Sequence, residues 1–150
     1  QGDYGRALFS ISCGGGLTLA FITLFVLTLD PWYKANTMIP LAGMIFASSM
    51  NAVSVAAERL YMEIDHGSPP TIARNQAFKA GLIPIFNSLL AVGLVSLPGM
   101  MTGQILSGVS PLIAVRYQIV VMCMITGASG MSAALYLYLQ GKKQRAISGS

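Results

Sequence analysis

No Asp, Glu, Lys or Arg falls within residues 7–29, 37–57, 80–97 or 117–139. That spacing constrains the fold more than any motif in the chain. Each stretch is long enough, at about 1.5 Å per helical residue, to cross roughly 30 Å of hydrocarbon. In lipid every backbone N–H and C=O must be satisfied within the protein, which selects helices for segments of this kind. Only 9% of the 150 residues are charged, against about 25% in a soluble domain. So few charges cannot cover a water-facing surface. The chain reads as an all-α polytopic integral membrane protein with about four transmembrane helices, forming a single transmembrane domain over 1–150.

Lys and Arg in short loops set orientation. With four full crossings, Arg6, Arg59, Arg74, Lys79, Lys142, Lys143 and Arg145 share one side, and Lys34 and Arg116 fall on the other. Seven against two puts both ends and the 58–79 loop in the cytoplasm. The 30–36 turn and the 98–116 region then face outward, where Trp32 and Tyr33 suit an interfacial aromatic belt. Residue 1 is Gln, and Asp3 and Arg6 lead straight into the first span, so the sequence reads as part of a longer protein. In the 58–79 loop, Gly67 through Pro70 stops the helix arriving from the second span. Ser68 or Thr71 is placed to cap the next helix, with Pro70 in its first turn if Ser68 or Pro69 is the cap. A helix over 71–82 carries Arg74 and Lys79 at the water interface. The segment is either an ordinary loop or an elbow on which a cytoplasmic partner docks.

The run Val95–Gly108 holds one proline, three glycines, the adjacent Met100 and Met101, and Gln104. Proline and glycine break or thin a helix. Pro98, Gly99 and Gly103 therefore mark a broken helix at a membrane boundary, which suits a pathway or a moving part. Pro84 kinks the third span as a hinge or a static bend, and Asn87 and Ser88 can satisfy freed backbone groups. In the second span Gly43 and Ala47 form a small-xxx-small pair, as do Gly99 and Gly103 further on. Gly14, Gly15 and Gly16 offer small faces for further helices. Ser48, Ser49 and Asn51 are polar at depth, so Asn51 makes either a structural interhelical bond or part of a transport route.

Met100 and Met101 are soft thioether donors, and Met122, Cys123 and Met124 form a second sulfur group. Each set serves either as core packing or, for Met100 and Met101, as a soft-metal site. Cys13 and Cys123 both lie in apolar spans and read as buried free thiols. Glu58, Glu63 and Asp65 offer carboxylates to a hard cation or are ordinary solvated charge, and Arg116 can snorkel to the interface. There is no GxxxxGK[ST] phosphate loop, no HExxH and no GxSxG, and His66 is the single histidine. The chain is therefore not read as an enzyme; it binds no cofactor of its own, and any ATP is hydrolysed in another subunit. The net charge of +4 comes from basic residues that, apart from the tail, are scattered singly, which gives no nucleic-acid footprint.

Four blocks carry a resemblance: Ile39-Pro40-Leu41-Ala42-Gly43-Met44, Met50-Asn51-Ala52-Val53-Ser54, Val92 through Gly103, and Ala114-Val115-Arg116-Tyr117-Gln118-Ile119. Over about residues 8–140 the chain closely resembles the FetB family of bacterial ABC-transporter permeases, which are linked to iron export and oxidative-stress resistance and have plant relatives in aluminium tolerance. The resemblance implies a permease of about seven apolar spans, of which this chain is the C-terminal part. It implies a bacterial inner-membrane location, a homodimer of permeases, and a separate cytoplasmic ATPase subunit holding ATP-Mg. Glu58, Arg59, Gly67, Ser68 and Arg74 then form the coupling elbow. Many members carry an Ala-Leu-Gly-Ala type segment in a longer loop, where this chain has Gly67-Ser68-Pro69-Pro70 through Ala73. Asn51, Asn87, Thr102 and Gln104 are expected to line the pathway, and Pro84, Pro98, Gly99 and Gly103 to let the third span change shape. The alternatives are a permease for another metal or a nucleotide sugar, and a non-transporting scaffold or sensor.

Overall fold

The computed structural model describes residues 2–26, 35–94 and 99–148, with side chains over 4–24, 38–92 and 99–142. These residues form helices: α1 (Gly2–Phe21, continuing as a π-helical turn over Ile22–Val26), α2 (Ala35–Asp65), α3 (Pro70–Leu94), α4 (Gly99–Leu106) and α5 (Pro111–Ser148). Tyr4–Leu24, Met38–Asp65 and Pro111–Lys142 are long and apolar enough to cross a membrane. The expected third span falls on α3 as far as Leu94 and then leaves the described residues. Pro98, Trp32, Tyr33 and Lys34 also lie outside them.

The helix ends follow from local chemistry. α2 does not stop near residue 57. It runs on to Asp65, because nothing over 58–65 breaks a helix and Arg59 pairs with Glu63 one turn later at 2.6 Å. It ends in a Schellman turn. Gly67 takes φ +76°, its N–H reaches Ile64 O at 2.9 Å, and the Ser68 N–H reaches Glu63 O at 3.0 Å. α4 ends the same way, with Gly108 at φ +88° and the Val109 N–H on Gln104 O at 3.0 Å. Pro70 opens α3 and Pro111 opens α5, where a missing N–H costs nothing. The first helical bond of α3 runs from Ala73 N–H to Pro69 O at 3.0 Å, and Ser68 turns back to α2 rather than capping α3.

α5 is the central helix, packed against α1, α2, α3 and α4, while α2 also packs against α1 and α3. Two apolar clusters hold the bundle. One contains Ala52, Val53, Ala56, Leu60, Ala73, Ala77, Ala133, Tyr136 and Leu137. The other contains Ile22, Leu41, Ile45, Val121, Met124 and Ala128.

Small residues set the helix spacing, although not at the two pairs singled out from the sequence. A Cβ on Gly81 would stand 2.8 Å from Ala52 O and 3.0 Å from Ala56 Cβ, so α2 and α3 are in near-backbone contact there. A Cβ on Gly14 would stand 2.9 Å from Ser132 N, and one on Gly15 would stand 2.9 Å from the Phe46 ring. These two glycines therefore seat α5 and α2 of the same chain, which corrects the expectation that they await further helices. Gly16, Gly43, Gly99 and Gly103 have open space within 4 Å. Neither Gly43–Ala47 nor Gly99–Gly103 makes a close helix crossing within the described residues, because both pairs turn away from the neighbouring helices. Gly99 and Gly103 lie on α4, while Pro98 and the residues that join α3 to α4 are outside the described residues.

Candidate functional site

A polar layer lies between the two apolar clusters. Along α2, Leu41 and Ile45 belong to one cluster and Ala52, Val53 and Ala56 to the other, with Ser48, Ser49 and Asn51 between them. Along α5, Ala128 and Ala133 bracket Ser129 and Ser132 in the same way. On α3 this level carries Gly81, Pro84 and Ser88. Ser48, Asn51 and Ala52, with Gly81, Pro84, Ile85 and Ser88, and Ser129 line a cleft of about 60 Å³. That volume holds a few water molecules. Pro84 has no N–H to give to Ala80 O, and Ser88 Oγ donates to Pro84 O at 2.9 Å.

The buried hydroxyls of this layer are unusual. Thr18, Thr23 and Thr126 donate to carbonyls one turn back at 2.7–2.8 Å, the usual arrangement for a hydroxyl in a helix. Ser10, Ser49, Ser129 and Ser132 are buried and have no protein partner for Oγ. A buried hydroxyl without a partner costs about 1–3 kcal/mol. Ser129 lines the cleft, so water or a polar solute there restores its hydrogen bond. Chemically the cleft is a set of uncharged donors and acceptors.

Of the expected pathway residues, Asn51 lies in this cleft with Pro84. Asn87 is exposed and is not part of the lining. Thr102 and Gln104 sit half-buried on α4, which packs on α5, and Gln104 Oε1 is buried without a partner. The four therefore do not form one lining. Met101 is buried and Met100 packs on the Ile22–Ala128 cluster, both as apolar filling. Ser129 was not singled out from the sequence, although Thr126-Gly127-Ala128-Ser129-Gly130-Met131-Ser132 was a visible signal, a small and polar run in mid-span.

The elbow is a second candidate site. Arg59 pairs with Glu63, Ser68 Oγ donates to Glu63 Oε2 at 2.7 Å, and His66 Nδ1 lies 2.6 Å from Met62 O. Glu58 is exposed on the preceding turn, and Tyr61, Met62, Ile64 and Ile72 are exposed apolar side chains around the turn. Arg59 and Ser68 are thus joined through Glu63 beside Gly67, and no contact ties Glu58 to them among the described residues. Arg74 is not among them: it lies against Gly141 of α5. Among the described residues no group of three or more His, Cys, Asp or Glu is placed to hold a metal, and Glu63 is ion-paired with Arg59.

Comparisons with known proteins agree with this architecture. The family model described as "Uncharacterised protein family (UPF0014)" matches residues 2–70 and 70–144. The UPF0014 membrane protein slr1647 of Synechocystis is 37% identical, over 81% of this chain and 53% of its own length. Protein ALUMINUM SENSITIVE 3 of Arabidopsis thaliana is 34% identical over 90% of this chain and 55% of its own. The probable iron export permease protein FetB of Escherichia coli is 32% identical over 91% of this chain and 58% of its own. The chain thus spans about half the length of the curated relatives it matches. No solved structure gives a significant match. The chain belongs to the UPF0014 family of multi-pass membrane proteins.

Proposed function

We propose that this chain is part of the membrane subunit of an ABC transporter that exports iron, with ATP-Mg bound and hydrolysed by a separate cytoplasmic subunit. The observation that carries the reading is the likeness to a probable iron export permease over 91% of the chain. The elbow supports it: a rigid, hydrogen-bonded turn with exposed Tyr61, Met62, Ile64 and Ile72 is a surface for a soluble partner. Force applied there reaches α2 and α3 together, because Gly81 locks them. The polar cleft at Asn51, Pro84, Ser88 and Ser129 lies on the route of the cargo in this reading, with Thr102 and Gln104 further along it. The open face of α2 at Gly43, Ala47 and Met50 is where a second permease packs, giving a homodimer.

A second reading keeps the transporter and changes the cargo. The cleft offers only uncharged hydrogen-bonding groups, with no carboxylate or thiolate to hold a bare iron ion. One experiment separates the two. Cellular iron is measured in cells carrying the full-length permease with its ATPase, and in cells whose ATPase has its phosphate-loop lysine changed to alanine. The proposal expects lower iron only with the active pair. Equal iron, with both proteins present in the membrane, overturns iron export and turns the search to another metal or an organic cargo.

A further inference from the structure

The corner of the bundle where α1, α3 and α5 meet holds a cation that no described carboxylate pairs with. Arg74 stands in the first turns of α3. A Cβ on Gly141 of α5 would fall 3.0 Å from its Nη1, 3.2 Å from its Cζ and 3.3 Å from its Nε. The guanidinium therefore occupies the space that any other side chain at 141 would take. Gly141 lies in ordinary right-handed helix, so its backbone does not require glycine. Glycine there costs about 1 kcal/mol relative to alanine, and the seat it makes for Arg74 is what offsets that cost.

Arg74 Nε is buried and has no hydrogen-bond partner. The described carboxylates Glu58, Glu63 and Asp65 all lie on α2, and among the described residues no ion pair joins any of them to Arg74. At the next position along α5, Arg6 of α1 donates to Gln140 Oε1 at 3.1 Å, and Gln140 Nε2 donates to the Tyr136 hydroxyl at 3.0 Å. The exposed Lys142 follows. Positive charge from three helices thus converges on one corner. A half-buried guanidinium is costly without an anion, and its planar fork matches phosphate oxygens in pairs.

The surroundings say which anion. Tyr4 of α1 and Tyr138 of α5, two residues before Arg6 and Gln140 respectively, are 80% and 62% exposed. Exposed tyrosines of this kind mark the headgroup level of a membrane. A basic pocket between helices at that level is a site for an anionic headgroup. We propose that Arg74, seated on Gly141 and flanked by Arg6 and Lys142, binds the phosphate of an anionic phospholipid.

Native mass spectrometry of the purified full-length protein tests this, with phosphatidylglycerol as the probe, phosphatidylcholine as the neutral lipid and inorganic phosphate as the soluble anion. The wild type is expected to retain phosphatidylglycerol over phosphatidylcholine. Arg74→Gln should weaken that retention about fivefold, the loss of about one near-surface cation, whereas Arg116→Gln at the opposite end should not. If Arg74→Gln does not accumulate, Gly141→Ala displaces the guanidinium while keeping its charge and should give the same loss. Phosphatidylglycerol retention in the variant equal to wild type overturns the site. Full displacement of the lipid by inorganic phosphate overturns the lipid assignment.

Discussion

The two ends of this bundle are packed by different means. At the elbow end, five of the nine clustered residues are alanine (Ala52, Ala56, Ala73, Ala77 and Ala133), and Gly81 brings α3 against the backbone of α2. At the other end the cluster is built from Ile22, Leu41, Ile45, Val121 and Met124, with no contribution from α3. Beside it runs an apolar groove of about 650 Å³ lined by Leu17, Phe21, Cys123 and Met131, among others. Small residues draw backbones together, and large ones hold them apart. α3 is therefore clamped where it leaves the elbow, and beyond it Ile85 is buried while Phe86 and Leu90 are exposed. The polar cleft lies at the change from one regime to the other.

The clamp is broken most severely at Gly81. Gly81→Leu drives a side chain into Ala52 O, a backbone atom that cannot swing aside, and should cost about 3 kcal/mol. Gly5→Leu, which enters open space on α1, should cost less than about 0.5 kcal/mol. Thermal unfolding of the purified full-length protein compares them, and equal losses would remove the clamp from the account. At the opposite end Ile45→Val removes one methyl from a fully buried site and should cost about 1 kcal/mol by the same assay. Met101→Leu conserves volume and should cost less than about 1 kcal/mol while leaving export intact. An export defect there would instead show that the thioether binds cargo. Ser129→Ala has the smallest stability effect, within about 0.5 kcal/mol, because the hydroxyl it removes has no protein partner. It sharpens the contrast, since in the transport reading export falls while unfolding does not move.

The helix ends were legible in the sequence because they depend on single residues. Gly67 at positive φ and Pro70 at the first position of α3 are choices few other residues can make. The extension of α2 to Asp65 was not legible from hydropathy, because Arg59 and Glu63 continue a helix in water as readily as Leu60 continues it in lipid. Motif spacing was a poor guide to contacts. Gly43–Ala47 and Gly99–Gly103 have the spacing but not the neighbour, Ala77–Gly81 has both, and Gly141 has the neighbour without the spacing. Spacing along one helix tells which residues share a face, and only the packing tells what that face meets. For the same reason polarity at depth does not separate Asn51 from Asn87: both are exposed, and of the two Asn51 lines the cleft.

The central claim is that the cleft between the two packing regimes carries the cargo. It is tested most directly by ATPase-dependent iron efflux from cells carrying the full-length permease with Asn51→Leu, at membrane abundance matched to wild type. The account predicts efflux at the level of the ATPase-inactive pair, because leucine fills the cleft and removes its amide. Wild-type efflux in that variant would contradict it.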